Sequence, residues 1–282
     1  MSALTTLPDF SAAKRFVVDG LPLCSIRGIN ELDPQVAAAV YRTLVPDELL
    51  TQFGIDPKTL SSGDDKRRVE FVCPPGTSSV EIKVWHPIQT RDPLLYLQLA
   101  DTANNQLSVL LLIVNDPESP RFDVDRDWSG QPTKFGTVNR NIEAEVAAMQ
   151  AGLAPGQVRR GLKLSRRLIP SFEVFVARLG HQIFFMEPLS YHAALMFERY
   201  GCAYTLGRTK MEWINREFRP GGALHRRLDG STPFRQPGAE KTVRGRSWAI
   251  HDGILGERFT DVHMYRRVGA ESKIRTFPDA QW

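Results

Sequence analysis

The stretch "GQVRRGLKLSRRLIPSF" (156–172) carries side chains suited to holding an anion. Arg159, Arg160 and Lys163 are charge-assisted donors to phosphate oxygens. Gly161 lets backbone approach such a group closely, and the helix expected to follow presents its first N–H groups and a partial positive charge. The same residues also read as the solvated face of an ordinary amphipathic helix. In "EPLSYHAAL" (187–195), His192 is of the type that serves as an acid, a base or a metal ligand; a partly exposed histidine in a first helical turn is the plainer reading. In "RGRSWAIHDG" (244–253), Arg244 and Trp248 suit an anionic or aromatic ligand and His251 with Asp252 suits proton transfer, against a well-packed turn as the alternative. Asp123, Asp125 and Asp127 have the alternate spacing of a calcium loop. Trp128 stands where the loop needs glycine and Lys134 where it needs a carboxylate, so no calcium site is expected. The six histidines show no zinc spacing, and no metal is expected.

Composition narrows the classes. The chain has 282 residues, 42% hydrophobic and 24% charged, with a net charge of +4. That balance suits a globular protein and only permits a polyanionic partner. The basic clusters at 159–178, 208–227 and 235–246 contain few aromatics and no nucleic-acid-binding motif, so nucleic acid is disfavoured as a partner. No run approaches the roughly 18 apolar residues of a membrane span. Cys24, Cys73 and Cys202 lie far apart and leave one unpaired, which predicts free thiols in a reducing cytoplasm. Oligomeric state is left open, a homodimer included.

These residues need elements to position them. "LPLCSIRGI" (21–29) reads as a strand. Asp33 as cap and Pro34 at the first position predict a helix carrying Val36, Val40 and Leu44 on its apolar face. "PDELLTQFGI" predicts a second, short helix. The period then falls to two: "RRVEFVC" and "SVEIKVW" form a hairpin across "PPGTS", followed by "LLYLQLAD" and "QLSVLLLIV" joined at Asn104-Asn105. The last of these, the most apolar, is expected to be central and buried on both faces. A long polar connection leads to a helix at "NIEAEVAAMQAG" with Ile142, Val146 and Met149 inward. Next come a helix ending at Gly180, a strand at "HQIFFMEP", a helix from Ser190 to Gly201, a strand at "CAYTLGR", and a helix opened by a Thr209–Glu212 capping box that buries Met211, Ile214 and Phe218. The remaining residues show little periodicity beyond a strand at "DVHMYRRV".

Over residues 21–206 this order resembles the GCN5-related N-acetyltransferase (GNAT) family. The segments that carry it are "CSIRGINELDPQVAAAVYRTL", "SVLLLIVND", "RRGLKLSRRLI" and "HQIFFMEPLSYHAALMFERYGCAY". The resemblance implies a mixed α/β protein of α+β type: a central, mostly antiparallel sheet flanked by helices over 1–206, with an insertion at about 116–155 and a C-terminal extension at 207–282. It also implies acetyl-CoA or another acyl-CoA as cofactor and a small-molecule or other amine as acceptor. The pyrophosphate would lie on Arg159, Arg160, Gly161, Lys163 and Ser165, with Ser190 at the family's usual asparagine position. Lys163 and Ser165 stand where the family has glycine or alanine. Glu187, at a strand end, is the candidate general base, with His192 beside it. The family's tyrosine acid corresponds to Phe197, which has no proton to give; Tyr191 and Tyr200 are the nearest hydroxyls. The resemblance thus leaves two functions open: an N-acyltransferase, or a non-catalytic binding module that has lost the acetyl-CoA site. A third reading joins Trp248, His251 and Asp252 to the 116–140 loop.

Overall fold

A computed structural model describes residues 13–89, 91–133, 140–162 and 164–282, leaving aside the side chains of 165–167. In chain order the elements are β1 (Val17–Val18), β2 (Leu21–Pro22), α1 (Ile26–Asn30), α2 (Pro34–Arg42), α3 (Asp47–Gln52), β3 (Val69–Val72), β4 (Ser79–Val84), β5 (Leu95–Asp101) and β6 (Leu107–Val114). There follow α4 (Ile142–Gln150), α5 (Ser165–Arg178), β7 (Ile183–Met186), α6 (Tyr191–Arg199), β8 (Ala203–Leu206), α7 (Arg208–Glu217), α8 (Ala223–Arg226), α9 (Val243–His251) and β9 (His263–Arg267). The protein is mixed α/β, and its strands pair mostly antiparallel. Two compact units share the chain, each built from separate stretches. The first takes residues up to 117, 161–186 and 265–271; the second takes 118–160, 187–264 and 272–282.

In the first unit the strand order is β3-β4-β5-β6-β7, followed by the part of β9 from Tyr265 onward. Strands β3 to β6 form the expected antiparallel meander, and β7 joins β6 in parallel. Period two is visible in β4, where Val80, Ile82 and Val84 are buried and the residues between them are not. Ile26, Ile29, Tyr41, Leu49 and Phe175 are also buried in this unit. The expected strand over 21–29 is corrected to two extended residues followed by α1. Ser25 accepts from the N–H of Gly28 (3.0 Å), and the Asp101 carboxylate accepts from Ile26 and Arg27 (2.8 and 2.9 Å). Two acceptors at once hold the first N–H groups of a helical turn. On α2 the buried residues are Ala37, Val40 and Tyr41, while Val36 is exposed.

The second unit has its own core of Ala148, Leu153, Phe234 and Trp248, with Val146 and Met149 packed against it. Trp248 stacks on Phe234 at 5.1 Å and donates from Nε1 to the Leu153 carbonyl (2.9 Å). On α4, Ile142 faces solvent rather than the core; Glu145 and Ala148 are the buried residues. The segment around His251 is the helix α9, with Arg246 to Ile250 buried, and is not a turn. On α7, Met211, Ile214 and Phe218 are buried as expected. The expected capping box is absent, because Gly207 at φ +89° starts the helix and Glu212 pairs with Arg208 (2.8 Å). Strand β8 lies beside the start of β9 in this unit, where Thr205 Oγ1 donates to the His263 carbonyl (3.2 Å). Among the described residues no helix is long and apolar enough to cross a membrane.

Candidate functional site

The candidate residues gather in two places, one in each unit. In the first unit the site is a parting of strands. Parallel β6 and β7 are in register only over Leu107↔Phe184, Ser108↔Phe185 and Val109↔Met186. β7 ends there, while β6 runs five residues further. At the same point the pairing of β6 with β5 slips: Leu99 faces Val109 and Gln98 faces Leu111, so Leu110 is a bulged residue. A bulge bends and twists its strand, and such bulges favour functional edges. Asn115 N–H bonds the Leu94 carbonyl (3.0 Å), so by alternation Leu112 and Val114 turn their N–H and C=O groups to the side that β7 no longer covers. Central burial of β6 on both faces is therefore corrected. It is interior in the strand order, yet Leu110 is 45% and Ile113 37% exposed, and only Leu107 is fully buried.

Gly161 stands at this end of β6. A Cβ on it would lie 3.2 Å from the Val114 carbonyl oxygen, tighter than side chains normally come, so glycine lets the incoming loop meet the strand. α5 opens four residues later, at Ser165, and its N-cap residue Leu164 gives no side-chain acceptor to the first-turn N–H groups. Lys163 lies outside the described residues, as does the Ser165 side chain.

Arg159 and Arg160 close the preceding stretch, in the second unit. Arg159 spends a guanidinium N–H on the Ser119 carbonyl. Arg160 is exposed; its backbone N–H bonds Ser119 Oγ (3.2 Å) and its guanidinium reaches the Ala151 carbonyl (3.3 Å).

The second site is a cleft of about 660 Å³ in the second unit. Its walls are the segment from Glu187 to Tyr191, the α9 residues Ser247, Ile250 and His251, and the loop through Phe259 and Asp261. Glu187, the first residue beyond β7, has a largely exposed carboxylate 3.8 Å from His263 Nδ1. Ser190 holds the N-cap position of α6, but its hydroxyl meets the His192 ring (3.0 Å) and caps no backbone N–H. Burial first, then the charges of Arg244 and His251, push His192 down to about 4, so its ring is neutral at pH 7. Tyr191 is fully buried, its hydroxyl 3.5 Å from Arg246, and burial raises it to about 12. Phe197 lies on α6.

His251 was expected beside Asp252; its partner is Glu145, 106 residues away, at 3.1 Å. Asp252 instead binds Arg140 (3.2 Å), Arg235 (2.8 Å) and Thr232 (2.8 Å). Burial works against the Glu145 carboxylate, yet the bonds from His251 and Arg140 hold it below its ordinary range, so it is ionised. Nothing in the spelling of "NIEAEVAAMQAG" sets Glu145 apart from Glu143. Among the described residues no group of three or more His, Cys, Asp or Glu side chains is placed to hold a metal ion. No known family model, curated protein or solved structure matches the chain.

Proposed function

We propose that this chain binds an acyl-CoA and transfers its acyl group to an amine. The observation that carries the reading is the parting of β6 from β7 at Leu110, which leaves part of an apolar strand exposed beyond the end of β7. Pantetheine is an extended chain with two amides, and the Leu112 and Val114 edge offers it the complementary donors and acceptors. Its pyrophosphate fits the start of α5, where Gly161 removes the side chain that would keep it off, and the exposed Arg160 adds positive charge. Lys163 and Ser165 belong to the same proposal, as does Ser190 at the head of α6. The thioester supplies the activated acyl group; Glu187 and His192 are the residues proposed to handle the acceptor's proton.

The test is calorimetry of the purified protein with CoA and acetyl-CoA. Binding in the micromolar range, weakened at least about ten-fold (about 1.4 kcal/mol) by Gly161→Val, is the expected result. Absence of binding at high micromolar CoA would sink it. Two observations favour the second reading, a fold retained as a non-catalytic binding module. Phe197 cannot protonate a thiolate, and one guanidinium N–H of Arg159 is held by the Ser119 carbonyl. A folded protein that neither binds CoA nor acetylates any amine would select that module.

A further inference from the structure

A separate pocket of about 310 Å³ lies in the second unit, along α7 and the segment around Arg275. We propose that it binds a small phosphate monoester as its dianion, held by Arg216, Arg219 and Arg275. These three guanidinia line it against one carboxylate, Glu212, which Arg208 pairs from outside the pocket (2.8 Å). Arg216 bonds Glu217 through Nε (3.1 Å), which leaves both of its Nη groups. Arg219 and Arg275 have no carboxylate partner among the described residues. Arg275 is anchored, since its Nη1 donates to the carbonyls of Glu198 (2.7 Å) and Ile274 (2.6 Å), and Nε and Nη2 remain for a ligand. The carbonyl ends of α6 and α7 oppose an anion with about half an elementary charge each, against three full positive ones. A net positive lining remains, which attracts anions.

A buried donor joins the arginines. Asn215 lines the pocket from α7 and is 9% exposed. Arg246 donates from Nη1 to its Oδ1 (2.8 Å); an arginine can only donate, so the Nδ2 donors form the other branch of the amide. They meet no acceptor among the described residues. Arg246 is itself fixed: its Nε donates to the Glu240 carbonyl (2.6 Å), and its guanidinium lies 3.5 Å from the Phe277 ring centre and 5.1 Å from that of Phe218. A buried amide held in this way is a donor set in advance, and a ligand oxygen satisfies it. Thr276, also in the lining, gives its hydroxyl hydrogen to Glu198 (2.6 Å), so its oxygen can only accept, which suits a hydroxyl on the ligand. A phosphate monoester presents three oxygens and close to two negative charges at pH 7, whereas a carboxylate presents two oxygens and one charge. The volume stands at the lower end of small-molecule sites, about 300–1,000 Å³, and suits a ligand with a body of a few carbon atoms. The start of α5, where the CoA pyrophosphate is proposed to lie, belongs to the first unit, and this site does not depend on that reading.

The test is calorimetry of the full chain with sn-glycerol 3-phosphate, set against succinate and dimethyl phosphate. The expected results are saturable binding in the millimolar range or tighter, about ten-fold weaker binding of both comparison anions, and a loss of about ten-fold in Arg219→Gln. Arg219 is exposed and forms no hydrogen bond or ion pair among the described residues, so its replacement disturbs no internal contact; Arg216→Gln supplies an independent second variant. Gly161→Val, and Arg267→Gln, which removes the same charge in the first unit, should each change binding by less than about two-fold, because a distant exposed charge is screened. Absence of saturation by about 20 mM, comparison anions binding as tightly, or equal losses at Arg219 and Arg267 would overturn the proposal. Loss in Gly161→Val alone would move the phosphate to the start of α5 and overturn it too. A phosphoserine peptide binding at least about ten-fold tighter than phosphoserine would replace the small ligand with a protein partner.

Discussion

His192 gives a pH dependence whose sign and size follow from its surroundings. The ring sits in the first turn of α6, partly buried and bonded to Ser190, and its folded pKa is about 4 against 6.5 when free. A depressed histidine pKa means that the cation opposes folding. The stabilisation from the neutral ring is therefore complete above pH 6.5 and is lost as pH falls from 6.5 toward 4. At pH 5 the unfolded chain gains a factor of about 30 in proton binding over the folded one, or about 2 kcal/mol. Screening of the partly exposed ring lowers this to about 1–2 kcal/mol. The comparison protein is His192→Gln, which keeps a polar group within reach of Ser190 and does not titrate. Glu145 and other carboxylates with lowered pKa values also lose stability in acid, but they do so in both proteins, and the difference isolates His192. Urea unfolding at pH 8 and pH 5 measures it. The wild-type stability, less that of the variant, should fall by about 1–2 kcal/mol over that interval. Curves parallel to within about 0.3 kcal/mol, or an NMR titration of His192 centred near 6.5, would show that burial does not hold the ring neutral.

Two further substitutions probe the frames that carry the sites. Gly207 has φ +89°, and a Cβ there would stand 2.5 Å from the Asp261 carbonyl oxygen and 2.8 Å from the Val262 Cα, so Gly207→Ala should cost about 3 kcal/mol or more in urea unfolding. Arg266 and Glu173, each 4% exposed, pair at 2.9 Å in the first unit; Arg266→Met should cost about 3–5 kcal/mol, and adding Glu173→Leu should restore most of it.

The parts of the fold legible in the sequence are those where one local rule decides. Alternation fixed β3 and β4 because their two faces meet different surroundings, and the helix stops at Gly152, Gly180 and Gly201 follow from positive φ angles of 79°, 82° and 73°. α1 was hidden because half of its cap is Asp101, supplied by β5. α9 was hidden for the opposite reason. Six of its nine residues are buried, so it shows no polar stripe from which a period could be read. The site divides the same way. Glycine and the charges at 159–163 are local signals, and they lie just ahead of the start of α5. Glu145 and the bulge at Leu110 exist only through pairing with distant residues, and no spacing rule reaches them.

Residues 118–160 belong to the second unit and lie in sequence between β6 and Gly161. Residues 115–160 separate the last strand of the meander from Gly161, and in sequence that gap argues against a strand, loop and helix acting together. The chain nevertheless returns to the point it left: Gly161 comes so close to the Val114 carbonyl that a Cβ would crowd it. The excursion therefore adds residues to the second unit without moving the α5 start away from the end of β6. Loop closure makes such an arrangement tolerable, since its entropic cost grows only with the logarithm of length. Exposure then carries more weight than spacing. An apolar strand left 45% open at Leu110 and 37% open at Ile113 ends beside Gly161, and on the acyl-CoA proposal this open stretch is the surface the ligand covers.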